Sequence, residues 1–219
     1  MCNTMSDSTI DRILDAALNV FPRLGVLGST MEDVARAAGV SRVTVYRYFA
    51  GKEGLVTAVC ARLLGPFQRG AQSGDKVTMT NFDQYLTDIL HDLRRVSAEH
   101  MLSSLAEIQR GFPQIYATYC QQRQAAVIQI FESCVRAVRK AGRWRDELNL
   151  NVVRAIFEST VLCLGENPTL ISSDISYPEL CSTVIGVFRD GVLRPEADVP
   201  AASQQNGRRS PRSRNRVRV

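Results

Sequence analysis

Apolar positions recur along most of the chain at three- and four-residue steps, the spacing that gathers them on one face of an α-helix. Ile10, Ile13, Leu14, Ala17, Leu18 and Phe21 predict a first helix, capped by Ser8, running to about Arg23 and ended by Gly25. The stretch Thr30 to Lys52, TMEDVARAAGVSRVTVYRYFAGK, predicts two short helices joined by a tight Ala-Gly-Val turn. Ser29 and Thr30 can each cap the first of these, with Glu32 or Asp33 three residues on closing a capping box, and Ser41 caps the second. A fourth helix starts near Lys52, carries Leu55, Val56, Val59, Leu63 and Leu64 on one side, and is expected to break at Gly65-Pro66.

Beyond a polar run at 71–80, read as a loop, the helical period resumes. Phe82, Tyr85, Leu86, Ile89, Leu90 and Leu93 predict a helix from Asn81 to about Ser97, and a shorter one follows from about Met101 to Gln109. A long helix from about Pro113 to Lys140 has Phe112, Tyr116, Cys120, Arg123, Val127, Ile130, Phe131, Cys134 and Val138 as its stripe, with Gly142 closing it. Two more are expected at about Asn151 to Leu164 and Pro178 to Leu193. No alternating strand pattern occurs, so the expected fold is all-α. An N-terminal three-helix head over residues 1–63 joins a larger helical body over 64–196, and a Pro-, Ser- and Arg-rich tail over 197–219 is expected to be disordered.

Within the head, Ala35, Gly39 and Val45 stand at the spacing of a helix-turn-helix: a small residue where two helices cross, a glycine free to take positive φ, and a β-branched anchor on the second helix. At about 100° per residue, turning Val45 and Phe49 inward leaves Val43 and Arg47 opposite the core, with Thr44 and Tyr46 on the flanks. An exposed valine beside an exposed arginine suits a major groove, where the arginine reaches guanine O6 and N7 and the valine touches a thymine methyl. A solvated helix face is the plainer alternative.

Charge sharpens this picture. The formal net charge is +5. The tail from 199 to 219 holds six arginines and no acid, which leaves residues 1–198 at −1. Residues 34–52 still concentrate Arg36, Arg42, Arg47 and Lys52 with no acid, the footprint expected for phosphate contact. The tail either adds non-specific affinity for nucleic acid or serves as a solubilising extension.

The remaining composition narrows the function classes. Apolar residues make up 45% of 219, ample for a packed core. No run approaches the ~18 apolar residues of a membrane span, and MCNTMSDST lacks the regions of a signal peptide, so the expected location is the cytoplasm. The cysteines at 2, 60, 120, 134, 163 and 181 form no CxxC pair and read as reduced thiols. His91 and His100 have no partner at metal-ligand spacing, and neither a nucleophile elbow nor a Gly-rich phosphate loop occurs. No cofactor or metal is expected, and an enzyme is the weaker hypothesis. A third is an architectural protein that binds DNA largely without sequence preference.

The run VSRVTVYRYF followed by Gly-Lys-Glu resembles the TetR family of bacterial transcriptional regulators. The resemblance rests on Ala38 to Ser41, Thr44, Tyr46, Tyr48-Phe49 and Lys52-Glu53, and covers only the N-terminal quarter of the chain. Val43 departs from the pattern, where a small residue is commoner. The resemblance implies a homodimer on double-stranded DNA, most often a repressor released from a palindromic operator by a small-molecule effector bound in the body. It implies phosphate contacts from Thr30, Tyr46, Tyr48 and Lys52, with Arg42 also on the DNA-facing side. It further implies that the last two helices pair across a two-fold axis, with Phe157, Val161, Leu164, Val184 and Phe188 at the interface. Closing the monomer's own core is the alternative for those residues. Arg123, a charge within an apolar stripe, needs a partner: either an internal acid such as Glu107, Glu132 or Glu158, or an acceptor brought by an effector, in which case Arg123 and Tyr116 line its pocket.

Overall fold

A computed structural model describes residues 3–96, 101–163, 167–171 and 175–194. Among them every regular element is helical: α1 (Asn3–Leu24), α2 (Met31–Ala38), α3 (Arg42–Phe49), α4 (Lys52–Ser73), α5 (Phe82–Val96), α6 (Met101–Gly111), α7 (Pro113–Lys140), α8 (Leu150–Cys163), the short α9 (Pro168–Ile171) and α10 (Tyr177–Val192). Extended pairing among the described residues is confined to a bridge between Trp144 and Leu193, which ties the α7–α8 connection to the end of α10. The tail, His100 and Leu164 lie outside the described residues.

The head forms where α2 packs on α1 and α3 packs on α2 and the start of α4, burying Ile13, Ala17, Phe21, Val34, Ala35, Val45 and Phe49 in one core. α1 begins five residues before the predicted cap, so Ser8 lies inside the helix. Residues 3–7 contain no glycine or proline to stop it.

α4 departs most from expectation. It continues through Gly65-Pro66 to Ser73, with Pro66 inside it, and two 3₁₀ turns at Gly74–Lys76 and Met79–Asn81 replace most of the expected loop. Pro66 forfeits one backbone hydrogen bond, about 1 kcal/mol net, and its ring adds a steric cost. Against this, Leu63, Leu64, Pro66, Phe67 and Gly70 are all buried where α4 runs along α7 and α5, and burial of one large side chain is worth roughly 1.5–3 kcal/mol. Burial wins, and the helix leaves the head and becomes the body's first wall.

Candidate nucleic-acid interface

Each joint of the α2–turn–α3 unit is closed locally. The Thr30 hydroxyl accepts from the Asp33 N–H at 3.2 Å, and Asp33 Oδ2 accepts from the Thr30 N–H at 2.9 Å and from its hydroxyl at 2.6 Å. These two bonds from Thr30, hydroxyl first, hold the Asp33 carboxyl below the usual aspartate range. Ser29 is not the cap: it is buried, and its hydroxyl donates to the Val26 carbonyl. Gly39 takes φ 63° and ψ 38°, a conformation that costs a side-chain-bearing residue about 1–2 kcal/mol, and Val40 N–H closes back on the Ala35 carbonyl at 3.0 Å. Arg12 of α1 donates to the Ala38 carbonyl at 2.8 Å, pinning the turn to the floor of the head. Ser41 then caps α3 through the Thr44 N–H at 3.1 Å.

These joints present α3 with one face in and one out. Val45 and Phe49 are buried, whereas Val43 is 78% exposed and Arg42, Tyr46 and Arg47 stand beside it in solvent. Thr44 and Tyr48 are half-buried on the flanks. Two arginine–tyrosine pairs frame the face. Arg42 lies 5.2 Å from the Tyr46 ring centre and donates to its hydroxyl at 3.4 Å, and Arg47 lies 5.1 Å from the Tyr48 ring with the same bond to its hydroxyl. Both arginines are thereby set in direction on a helix that carries no acid.

Lys52 faces elsewhere. It is half-buried, and its ammonium donates to the Ser29 carbonyl and, at 3.3 Å, to that of Leu27. Burial lowers its pKa, opposed by the charges of Glu107 and Asp33. Lys52 thus braces the α1–α2 turn that presents Thr30. The same turn is held from the body, where Glu107 of α6 accepts the Leu27 N–H at 3.0 Å.

Inside the body a cavity of about 120 Å³ lies among α4, α5, α7, α8 and α10, with an almost wholly apolar wall. Arg123 lines it and is 3% exposed; Tyr116 is buried but does not line it. Arg123 is itself engaged within the chain; of the acids named for it, Glu132 and Glu158 pair with Arg154 at 3.0 and 2.6 Å, and Glu107 accepts from the Leu27 N–H. Its guanidinium lies 5.4 Å from the Tyr119 ring centre. Trp144 and Arg189 also line the cavity and were not singled out in the sequence, although Ile185, Arg189 and Val192 share the α10 stripe. Burial pushes the Cys60 and Cys134 thiols up to about 12, so both are protonated near neutral pH.

Of the residues set at an interface by resemblance, Phe157 stacks on Phe131 at 4.7 Å and meets Phe188 edge-on at 4.8 Å, all within this one chain. Val184 is half-buried on the cavity wall. These three pack within this one chain and line its cavity. Leu164 and the Val161 side chain are outside the described residues. The same two helices do turn large apolar groups outward, with Ile156 54% and Val187 67% exposed and Val152 beside them in the exposed class.

Comparison with known proteins places these features. Residues 13–59 match the family model for bacterial regulatory proteins of the tetR family. The HTH-type transcriptional regulator SrpR of Pseudomonas putida is 43% identical over 63 residues, 29% of this chain and 30% of that protein. BetI of Rhizobium meliloti, also an HTH-type transcriptional regulator, is 40% identical over 68 residues, 31% of this chain and 34% of that protein. The chain thus spans about a third of the length of these curated relatives. Among solved structures, the SmeT–triclosan complex superposes with a TM-score of 0.53 at 19% identity, covering 89% of this chain and 96% of that one. NalD, the secondary repressor of the MexAB-OprM multidrug efflux pump in Pseudomonas aeruginosa, gives 0.53 at 20% identity, covering 87% and 98%. At such identities the likeness establishes the fold. The matched segment contains α2, the Ala-Gly-Val turn and α3 entire, so the head of this chain is similar to that of bacterial regulatory proteins of the tetR family.

Proposed function

We propose that the protein is a cytoplasmic transcriptional repressor that binds a palindromic operator as a homodimer and is released by a small molecule held in its body. The observation that carries this reading is the outward face of α3, where Val43, Arg42, Tyr46 and Arg47 stand exposed on an acid-free helix whose other face is locked into the head. Arg47 and Val43 read base edges, while Arg42, Thr44, Tyr46 and Tyr48 meet phosphates and the α2 N-terminus at Thr30 supplies backbone donors. With two donors spent on the α1–α2 turn, Lys52 offers its third N–H and its charge. The names of SrpR and BetI as transcriptional regulators, and of NalD as a repressor, support the assignment. A small-molecule complex of SmeT supports an effector in the body.

The head, residues 1–63, and the body, 64–196, divide the labour, with the basic tail beyond. One α3 helix covers too little DNA for a tight specific complex, so two heads on one dimer are required. The dimer surface is the outward apolar face of α8 and α10 around Val152, Ile156 and Val187, since an apolar patch of that kind marks an interaction surface. A footprint on the DNA flanking the protein's own gene tests the reading. Protection of a short two-fold-symmetric site, resisting a large excess of random duplex, is the expected result. Uniform coating of any duplex, lost with the tail, would instead identify an architectural protein. In parallel, Val187→Asp should convert a dimer to a monomer in sedimentation, and a parent that sediments as a monomer removes the interface.

A further inference from the structure

The helices around the body cavity, with the connection that follows α7, contribute six aromatic rings to its wall: Phe67, Phe82, Phe131, Trp144, Phe157 and Phe188. Phe157 lies with its plane 23° from that of Phe131 and meets Phe188 at 90°. Such rings offer both faces and edges, the two surfaces against which a further aromatic ring packs at centroid distances of roughly 4.5–7 Å. Apart from two arginines the rest of the wall is aliphatic or thiol, and burial keeps the Cys134 thiol protonated. A wall of this kind holds water poorly, since each molecule needs roughly two to four polar partners, whereas an apolar occupant gains dispersion contacts on every side.

Size restricts the occupant further. At about 120 Å³ the cavity is slightly smaller than the ~150 Å³ of apolar space known to accept benzene or xenon, so one six-membered ring with at most a small substituent fills it. Val184 and Ile185, half-buried liners on α10, can shift to admit that substituent. A long chain or a second ring exceeds the space.

Charge decides the remaining choice. Arg189 pairs with Asp190 at 2.8 Å and with Asp83 at 3.6 Å, and Arg123 is engaged within the chain, its guanidinium 5.4 Å from the Tyr119 ring centre. An anionic ligand would have to displace those partners as well as shed its own hydration. A cationic one would meet two guanidiniums and, among the described residues of the lining, no acid. We infer that the cavity takes an uncharged, single-ring aromatic molecule of the size of benzene or toluene; this rests on the effector reading above and specifies its ligand.

Trp144 lines the cavity and is the chain's single tryptophan, so its fluorescence reports occupancy in the full-length protein, with calorimetry as a second measure. Toluene, benzoate and benzylammonium share one ring and differ in charge, and toluene should bind roughly tenfold or more tightly than either ion at neutral pH. Benzene should bind severalfold more tightly than cyclohexane, whose ring has no aromatic face, and biphenyl should bind more weakly than toluene. Val184→Phe adds a ring to the wall and should lower toluene affinity roughly tenfold or more while helical circular dichroism is retained. The comparisons on the parent protein stand even where that variant fails to fold. Benzoate or benzylammonium binding as tightly as toluene, cyclohexane binding as tightly as benzene, biphenyl binding more tightly than toluene, or a folded Val184 variant with unchanged toluene affinity overturns the inference, as does no binding of benzene or toluene. A protein that protects its operator yet binds neither ring has the wrong ligand class assigned but keeps its DNA-binding reading. Toluene held in the cavity without any effect on operator protection leaves the ligand class standing and overturns the effector reading alone.

Discussion

Arg47 and Val45 stand two residues apart on α3 and point opposite ways, so alanine at each should fail differently. Arg47→Ala removes an exposed side chain and should leave the melting temperature unchanged while weakening operator binding by roughly 1–3 kcal/mol, measured as a Kd at fixed salt. Val45→Ala empties a fully buried site and should cost about 2 kcal/mol of stability in chemical denaturation, with binding lost only as the head unfolds. Asp33 adds a pH signature. Its folded pKa is depressed by Thr30, so its contribution to stability is present above the unfolded aspartate range and disappears as pH falls through the folded value. Asp33→Asn should therefore be less stable than the parent at neutral pH, with the gap closing in acid.

Among the elements, α4 shows what governs the architecture. Gly70 lies where α4 meets α5 and α7, and a Cβ there would come within 2.8 Å of Ile89 Cδ1 and 3.0 Å of Ile130 Cδ1. Alanine in a helix interior ordinarily gains up to ~1 kcal/mol over glycine, but overpacking a buried crossing costs about 1–3 kcal/mol. Gly70→Ala should thus be net destabilising, and an increase in the denaturation midpoint would show that the crossing can relax. The head was legible in the sequence because each of its devices is local: the Thr30–Asp33 box, Gly39 in its turn and the Ser41 cap each act within three or four residues. The course of α4 past Pro66 was not, since what overrides the proline is burial against α5 and α7, helices remote in sequence. The cavity shows the same division. Arg123 was conspicuous as a charge in a stripe, whereas Arg189 and Trp144 join it only through the packing of α10 and the Trp144–Leu193 bridge.

At the scale of the whole molecule, buried residues from Ile13 of α1 to Leu180 of α10 form one continuous cluster, with no seam at the head–body junction. Thermal unfolding should be a single calorimetric transition whose van't Hoff and calorimetric enthalpies agree, and Trp144 fluorescence should lose its folded signal together with helical circular dichroism. Two separated transitions would show that the head melts independently. The grip of Glu107 on the Leu27 amide also gives that junction a clock. This N–H is closed by a carboxylate from α6, so it trades its proton with solvent only when body and turn part. Ligand binding that draws α6 away should speed deuterium uptake at Leu27 while amides within α2 and α3 keep their protection, the signature of a head that swings as a rigid piece. Equal acceleration at Leu27 and along α3 would mean that the ligand acts by loosening the head itself.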